Sequence, residues 1–290
     1  MFENFKTVLL LGSLTGILIV IGGIIGSIFH LASLGIIIGF VLAVGMNFIS
    51  YFYSDSITLS AYNAKIVTPE EAPVLHEIVT ELANNAGIKK PKVAIIPSYE
   101  PNAFATGRNE DHAVVAATSG ILNLLTHDEI KGVLAHEIGH IKNRDILISS
   151  VAATVAGMIT MVADLGRYAV FFADDEDGGG AIASILVAII APIAASIIQL
   201  AISRSREYKA DATGAMITSN PLALADALRK IESGIIDQPM DAKPTDAHMF
   251  IINPFEGAGQ KLLNLFSTHP STEDRIKRLE KMSVTGEYDI

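Results

Sequence analysis

Apolar and polar positions divide this chain into long uncharged runs and shorter amphipathic stretches. From Thr7 to Ser54 there is no Asp, Glu, Lys or Arg. A membrane-spanning helix needs roughly 20 apolar residues, so this run predicts two helices with a tight turn, placed near residues 30–35. A cleaved signal peptide fits poorly: its apolar core is only about 7–15 residues, and no second span is expected behind it. The first span therefore reads as an uncleaved signal anchor. Gly12/Gly16, Gly22/Gly26 and Gly35/Gly39 each give G-x-x-x-G. Either these pairs let helix backbones approach closely, or they reflect the ordinary abundance of glycine in membrane helices. Residues 146–163 are again uncharged and continue through Asp164 and Arg167 to Phe172, and residues 181–202 are uncharged with Pro192 inside. The acidic, glycine-rich residues 174–180 separate them. This pair reads as a second spanning hairpin or as one packed on the soluble part, and its length favours spanning.

The amphipathic stretches carry their own punctuation. Thr68-Pro69-Glu70-Glu71 predicts a helix start, with Thr68 as cap, Pro69 in first position and Glu71 closing a capping box. Leu75, Ile78, Val79 and Leu82 follow at helical spacing, and Gly87 ends the helix. Residues 92–96 and 113–117 read as buried strands of a small sheet. Thr126-His127-Asp128-Glu129 is a second capping box, followed by an apolar flank at Ile130, Val133, Leu134, Ile138 and Ile141. Asn220-Pro221 opens another helix, with Leu224, Leu228 and Ile231 on one face and Gly234 at its end. The predicted fold is mostly α (α+β): two helical hairpins plus a largely helical domain with a small sheet. The expected division is 1–54 for the first hairpin, 146–202 for the second, and 55–145 with 203–290 for the domain into which it is inserted.

Composition agrees with a membrane protein. Charged residues make up 18% and hydrophobic ones 50%, against about 25% charged in soluble chains. The net charge of −10 and the lack of a long basic run exclude nucleic acid as a natural partner. There is no cysteine, so any metal site must be built from His and carboxylates. Lys6, Lys142, Arg144, Arg204 and Arg206 flank the apolar segments, whereas the turns within them hold no base. The positive-inside rule then places both termini and the intervening domain in the cytoplasm, in a multi-pass inner (plasma) membrane protein.

Candidate chemistry sits on the second capped helix, at His136-Glu137-Ile138-Gly139-His140. Positions i and i+4 share a helix face, so both histidines can reach one metal, and Glu137 beside the first can act on water there. That is the arrangement of a zinc metallopeptidase, with one Zn2+ per chain. Catalytic zinc takes three protein ligands. Glu207, just beyond the second apolar pair, is the best third ligand on offer, although a solvated charged face is common after a span. Asp211 stands four residues on and can accept a ligand histidine's free N–H. Upstream, Asn102, Ala103 and Phe104 mark a strand edge to which a peptide can add, or an ordinary sheet edge.

These features together resemble the HtpX-type membrane metalloproteases, related to the CAAX prenyl endopeptidases. The match runs over almost the whole chain. It includes the N-terminal hairpin, residues 102–107, His136 to His140, the second apolar pair, residues 203–211, and Thr268-His269-Pro270 with Arg275-Ile276. Residues 235–259 depart from it. The resemblance implies a membrane-bound zinc endopeptidase of gluzincin type that cleaves membrane proteins in quality control and stress response. The lipid bilayer and membrane-protein or peptide substrates are its expected partners. His136, His140 and Glu207 would hold the zinc, and Glu137 would be the general base. His269 is the candidate to stabilise the oxyanion, with Tyr208 a weaker one; a turn contact is the plain alternative for His269. A scaffold or transporter with an inert motif, and a zinc-binding pseudoprotease, are the competing readings. A transporter should place ionisable groups within its spans, and only Asp164 and Arg167 qualify.

Overall fold

The computed structural model describes residues 2–28, 30–152, 154–155, 203–237, 250–252 and 270–288. Most of the second apolar pair lies outside these residues, with Asp164, Arg167 and the acidic turn; so does His269. The described part is mostly helical, with one small mixed sheet.

Helices α1 (Phe2–Ile28) and α2 (Ala32–Phe52) fold back on each other. Their turn is shorter than residues 30–35, because His30 takes φ +58° and the Leu31 N–H closes onto the Gly26 carbonyl at 2.7 Å. Gly22 and Gly26 face Gly35 and Gly39 across the seam. A Cβ on Gly26 would lie 2.7 Å from the Leu31 oxygen, and one on Gly22 would overlap the Gly35 carbonyl. Gly12 and Gly16 have nothing within 4 Å of such a Cβ, so only two of the three glycine pairs serve close approach. Lower in the seam the Asn47 amide donates to Thr15 Oγ1 at 2.8 Å and the Leu11 carbonyl at 3.3 Å. Among the described residues α2 is long and apolar enough to cross a membrane; the apolar part of α1, Thr7–Gly23, is shorter. Val41, Ile37 and Leu42 on α2 are more than half exposed, an outward surface that suits lipid better than water.

α3 (Ser54–Ala61) leads from the hairpin to the sheet. Strands β1 (Lys65–Ile66), β2 (Lys92–Ile96), β3 (Ala103–Thr106) and β4 (Val114–Thr118) lie in the order β1-β2-β4-β3. The β2–β4 pair is parallel, with Ala94 opposite Ala116; the β1–β2 and β3–β4 pairs are antiparallel, with Phe104 opposite Ala116. Side chains alternate between faces, as the strand period requires. Val93, Ala103, Ala105, Val115 and Ala117 join the main core, while Ala94, Ile96, Phe104, Val114 and Ala116 pack under Leu59 and Tyr62. β4, the strand nearest in sequence to the motif helix, is therefore central, and the sheet edge falls to β3.

α4 (Pro73–Ala86) corrects the expected start at Pro69. The Thr68–Glu71 reciprocal bonds do form: Thr68 N–H donates to Glu71 Oε2 at 2.9 Å, and Glu71 N–H to Thr68 Oγ1 at 3.4 Å. They close a turn instead of a helix. Pro73 has no N–H to continue that turn and pushes Ala72 out of the helical region, to φ −142°. The helix starts afresh there and ends, as expected, at Gly87 with φ +70°. α5 (Ser119–Leu124) and α6 (His127–Lys142) follow, and residues 146–152 are helical again. α7 (Arg204–Thr218), α8 (Pro221–Asp237) and α9 (Thr272–Thr285) complete the described chain. α8 runs past Gly234, where a stop was expected; one interior glycine costs only about 1 kcal/mol. Val79, Leu82, Leu134, Ile138, Leu228 and Leu279 meet in the core, all at 1% exposure or less.

The glycine seam sets the hairpin spacing, so Gly35→Leu is expected to destabilise the protein by about 1–3 kcal/mol through overpacking. Gly12→Leu should stay within about 0.5 kcal/mol of the parent. Unfolding midpoints in one detergent check both.

Candidate metal centre

The start of α6 is fixed on both sides. Thr126 Oγ1 accepts the Glu129 N–H at 3.5 Å, and Glu129 Oε2 accepts the Thr126 N–H at 2.8 Å. Lys230 of α8 donates to the same carboxylate at 2.7 Å. Burial alone would raise the Glu129 pKa; the Lys230 and Thr126 hydrogen bonds outweigh it and hold the carboxyl below its ordinary value. His127 stays on the surface, and His76 is a buried core residue whose Nε2 lies 3.0 Å from the Val67 carbonyl.

Nine to thirteen residues into α6, two glycines set the crossing with α7. A Cβ on Gly139 would sit 2.9 Å from the Ala210 oxygen, and one on Gly214 would sit 2.9 Å from the His136 nitrogen. Without those side chains the two backbones close up, and Glu207 reaches both histidines. The two Nε2 atoms stand 3.1 Å apart. Glu207 Oε2 lies 3.6 Å from His136 Nε2, and its Oε1 lies 3.6 Å from His140 Nε2. Bonds of about 2.0–2.1 Å at tetrahedral angles put donor atoms about 3.4 Å apart, so these three residues fit one zinc ion.

The chemistry of the donor set agrees. His136 Nδ1 is 2.8 Å from Asp211 Oδ1, and His140 Nδ1 is 3.1 Å from both Asp145 oxygens. Each carboxylate accepts an Nδ1–H, which leaves both Nε2 atoms as bare lone pairs aimed at each other. Only a cation or a proton between them relieves that contact. Burial by itself lowers the His140 pKa, yet Asp145, with Glu207 and Glu137 behind it, carries it up to about 10. A metal would displace that proton.

Asp145 reaches His140 because of how α6 ends. The Arg144 N–H bonds the Ile141 carbonyl, the Asp145 N–H bonds the His140 carbonyl at 3.2 Å, and Arg144 takes φ +62°. This is a Schellman ending with arginine where glycine is usual, and it folds Asp145 back beneath the ring. On the other side Arg275 of α9, 1% exposed, donates Nε and Nη2 to Asp211 at 2.9 and 2.7 Å. Its Nη1 donates to the Ile251 carbonyl at 2.6 Å, and the Ile251 N–H donates to Asn102 Oδ1 at 3.2 Å. Arg275 thus ties Ile251 to α7, and Asn102 ties it to the chain just before β3.

These residues enclose a cavity of about 50 Å³, room for a few waters. His136, Glu137, His140 and Glu207 line one side, Ala103, Phe104 and Ala105 of β3 a second, Phe250 and Ile251 a third, and Ile146 and Ser149 the remainder. Glu137 is 5% exposed. Burial raises its pKa against the pull of His136 and His140, while the Ala105 backbone N–H donates to its carboxylate.

The structure brings His136, Glu137, His140, Glu207 and Asp211 together. It sets Ala103 and Phe104 at the cavity, while Asn102 engages Ile251. Tyr208 is stacked under Arg278, 3.8 Å from guanidinium to ring. His269 lies outside the described residues. Sequence reasoning missed Asp145, Arg275 and residues 250–252 as parts of the site. The signal for Asp145 was a lone carboxylate just past the end of the motif helix.

The model for Peptidase family M48 matches residues 69–283. The Protease HtpX homolog of Pyrococcus furiosus is 54% identical over 283 residues, covering 96% of each chain. That of Persephonella marina is 54% identical over 288 residues, covering 97% of this chain and 98% of its own. The crystal structure of S. mikatae Ste24p superposes with a TM-score of 0.49 at 20% identity, covering 96% of this chain and 66% of that one.

Removing one partner of a buried ion pair strands the other. Arg275→Leu is therefore expected to cost about 3–5 kcal/mol in chemical unfolding. Asp211 adds a pH dependence. Burial would raise its pKa, but Arg275 and the His136 N–H bring it down from 3.8 to about 2. A carboxylate depressed on folding stabilises above its unfolded pKa and loses that contribution as pH falls through the folded one. The parent should lose stability between 3.8 and about 2, and an Asp211→Asn variant should show a shallower loss over that window.

Proposed function

The chain belongs to peptidase family M48, and from that premise we propose that it is a membrane-anchored zinc endopeptidase acting on cytoplasmic parts of membrane proteins. The observation that carries the reading is the tetrahedral spacing of His136, His140 and Glu207 beside Glu137 and a water-sized cavity. A zinc ion held by those three residues would supply Lewis-acid polarisation of the peptide carbonyl and of the attacking water. Glu137, raised in basicity by burial, takes the proton from that water and hands it to the leaving amine. Asp211 and Asp145 hold the imidazoles in the tautomer that leaves Nε2 free, and Arg275 keeps Asp211 ionised. His269, just ahead of Pro270 and α9, is assigned to the developing oxyanion.

The outer edge of β3 supports a substrate role. Ala105 directs its backbone N–H at Glu137 instead of at β4, so a peptide lying along Ala103 and Phe104 presents its carbonyls to the same cavity. The α1–α2 hairpin is read as the anchor, and the bases at Lys6, Lys142, Arg144, Arg204 and Arg206 support a site on the cytoplasmic side. On this reading residues 1–54 form the anchor, 146–202 a second apolar hairpin, and the rest the peptidase domain, with disposal of damaged membrane proteins under stress as its task.

Metal content and casein cleavage are measured together on detergent-purified parent and Glu137→Gln, prepared with a chelator and reloaded with zinc. One zinc per chain in both proteins is expected, with kcat down by about 10²–10⁴ in the variant. Zinc without cleavage in either would turn the reading towards a pseudoprotease, and absence of zinc towards a scaffold.

A further inference from the structure

Between the candidate active site and the membrane anchor stands one short helical stretch, residues 146–152, and it faces three ways. Ile146 and Ser149 line the cavity. Ile148, Val151 and Ala152, with Val155, pack against Leu10 and Leu14 of α1 in a cluster of their own. The third face carries Ser150, which is fully buried. Its Oγ lies 2.9 Å from Thr106 Oγ1 and accepts the Gly107 N–H at 3.1 Å. Thr106 is also fully buried.

Thr106 ends β3 and Gly107 follows it, and the residue before them is Ala105, whose N–H donates to Glu137. Gly107 takes φ +139°, and a Cβ there would sit 2.5 Å from the His112 carbonyl oxygen. The backbone that aims this N–H at Ser150 is thus one that only glycine adopts freely. Beyond its ladder with β4, the end of the edge strand is fixed by the Ser150 hydroxyl. Without it, a buried N–H is left unmatched in a place water does not reach, and the outer edge of β3 is free to shift against Glu137.

We propose that Ser150 is a positioning residue that locks the substrate-binding edge of β3 to the helix docked on the membrane anchor. The proposal rests on the reading of β3 as the strand to which substrate adds. Its consequence is that peptide binding depends on the docking of residues 146–152 onto α1. The membrane helix becomes part of the substrate site without touching substrate through Ser150.

The test uses the full chain in detergent with zinc restored and a quenched peptide substrate, comparing Ser150→Ala, Thr106→Val, their double variant and Thr154→Val. Thr154 lies on the same helix and donates to the Ser150 carbonyl at 2.9 Å, so its variant removes a buried hydroxyl without touching the strand. Ser150→Ala is expected to raise KM about tenfold, the size of one buried hydrogen bond, and to lower the thermal midpoint by a few degrees through the unmatched N–H, with kcat and zinc content near the parent's. The double variant should be no worse than Ser150→Ala alone, because both changes break one link, and Thr154→Val should keep the parent KM. An unchanged KM in Ser150→Ala overturns the proposal. So does an equal rise in Thr154→Val, or a loss of kcat that follows the thermal midpoint. If Ser150→Ala does not fold, an unchanged KM in Thr106→Val overturns it in the same way. Glu137→Gln is run alongside: a parent that cleaves no faster than this variant removes the protease reading itself, whereas an active parent with an inactive Glu137→Gln confines any failure to Ser150.

Discussion

Four carboxylates, two imidazoles and one guanidinium are packed around a single helix crossing, and the rest of the fold serves to keep that charge paired. Glu137, Asp145, Glu207 and Asp211 are each 8% exposed or less, and Arg275 is 1% exposed. A buried charge left alone costs several kcal/mol. Arg275 matches Asp211, and the two Nδ1–H groups are matched by Asp211 and Asp145. Glu137 and Glu207 face the two Nε2 atoms, so around the crossing four carboxylates meet one guanidinium. That excess of negative charge is what a divalent cation would neutralise and what a proton on His140 covers only in part. Metal and proton therefore compete for one place, through a balance that the neighbouring aspartates set.

The crossing is close because Gly139 and Gly214 carry no side chains where α6 and α7 meet. The same device joins α1 to α2, where Gly22 and Gly26 face Gly35 and Gly39. In both places backbone contact replaces side-chain interdigitation, so spacing is set by atoms that cannot change rotamer. That rigidity suits donor atoms whose separations must hold to a few tenths of an ångström. Directly after the crossing, six residues connect the site to everything around it. Asp145 holds His140, Ile146 and Ser149 wall the cavity, Ile148 docks on α1, and Ser150 fixes β3. A stretch that opens a long uncharged, apolar run in the sequence is also a wall of the polar site.

Much of this was legible from the residues, where the cause is local. The capping box at Thr126–Glu129 marked the start of α6 to the residue, because its two bonds lie within one turn. Gly87 ended α4 because it alone accepts positive φ cheaply. The Thr68–Glu71 signal was also real, and it was overruled by Pro73 five residues on. Glycine at 234 was read as a stop, but one weak helix former does not end a helix already packed along its face. The strand at residues 103–106 was reached only as an edge, and its four-residue pairing with β4 depends on a partner outside the window in which alternation is read.

What the sequence determined by itself was the shared face of His136 and His140 on α6 and the apolar character of α1 and α2. A spacing of four residues fixes a shared face through the 3.6-residue turn, and a long uncharged run has few stable solutions other than lipid or a core. Tertiary structure alone decided who completes the shell. Asp145 depends on an αL arginine that reverses the chain, Arg275 arrives from the far end of the chain, and Phe250 and Ile251 are held in place by one carbonyl and one amide. Those contacts follow from the closeness of helices that two absent side chains permit, and no periodicity within a single segment encodes a distance between segments.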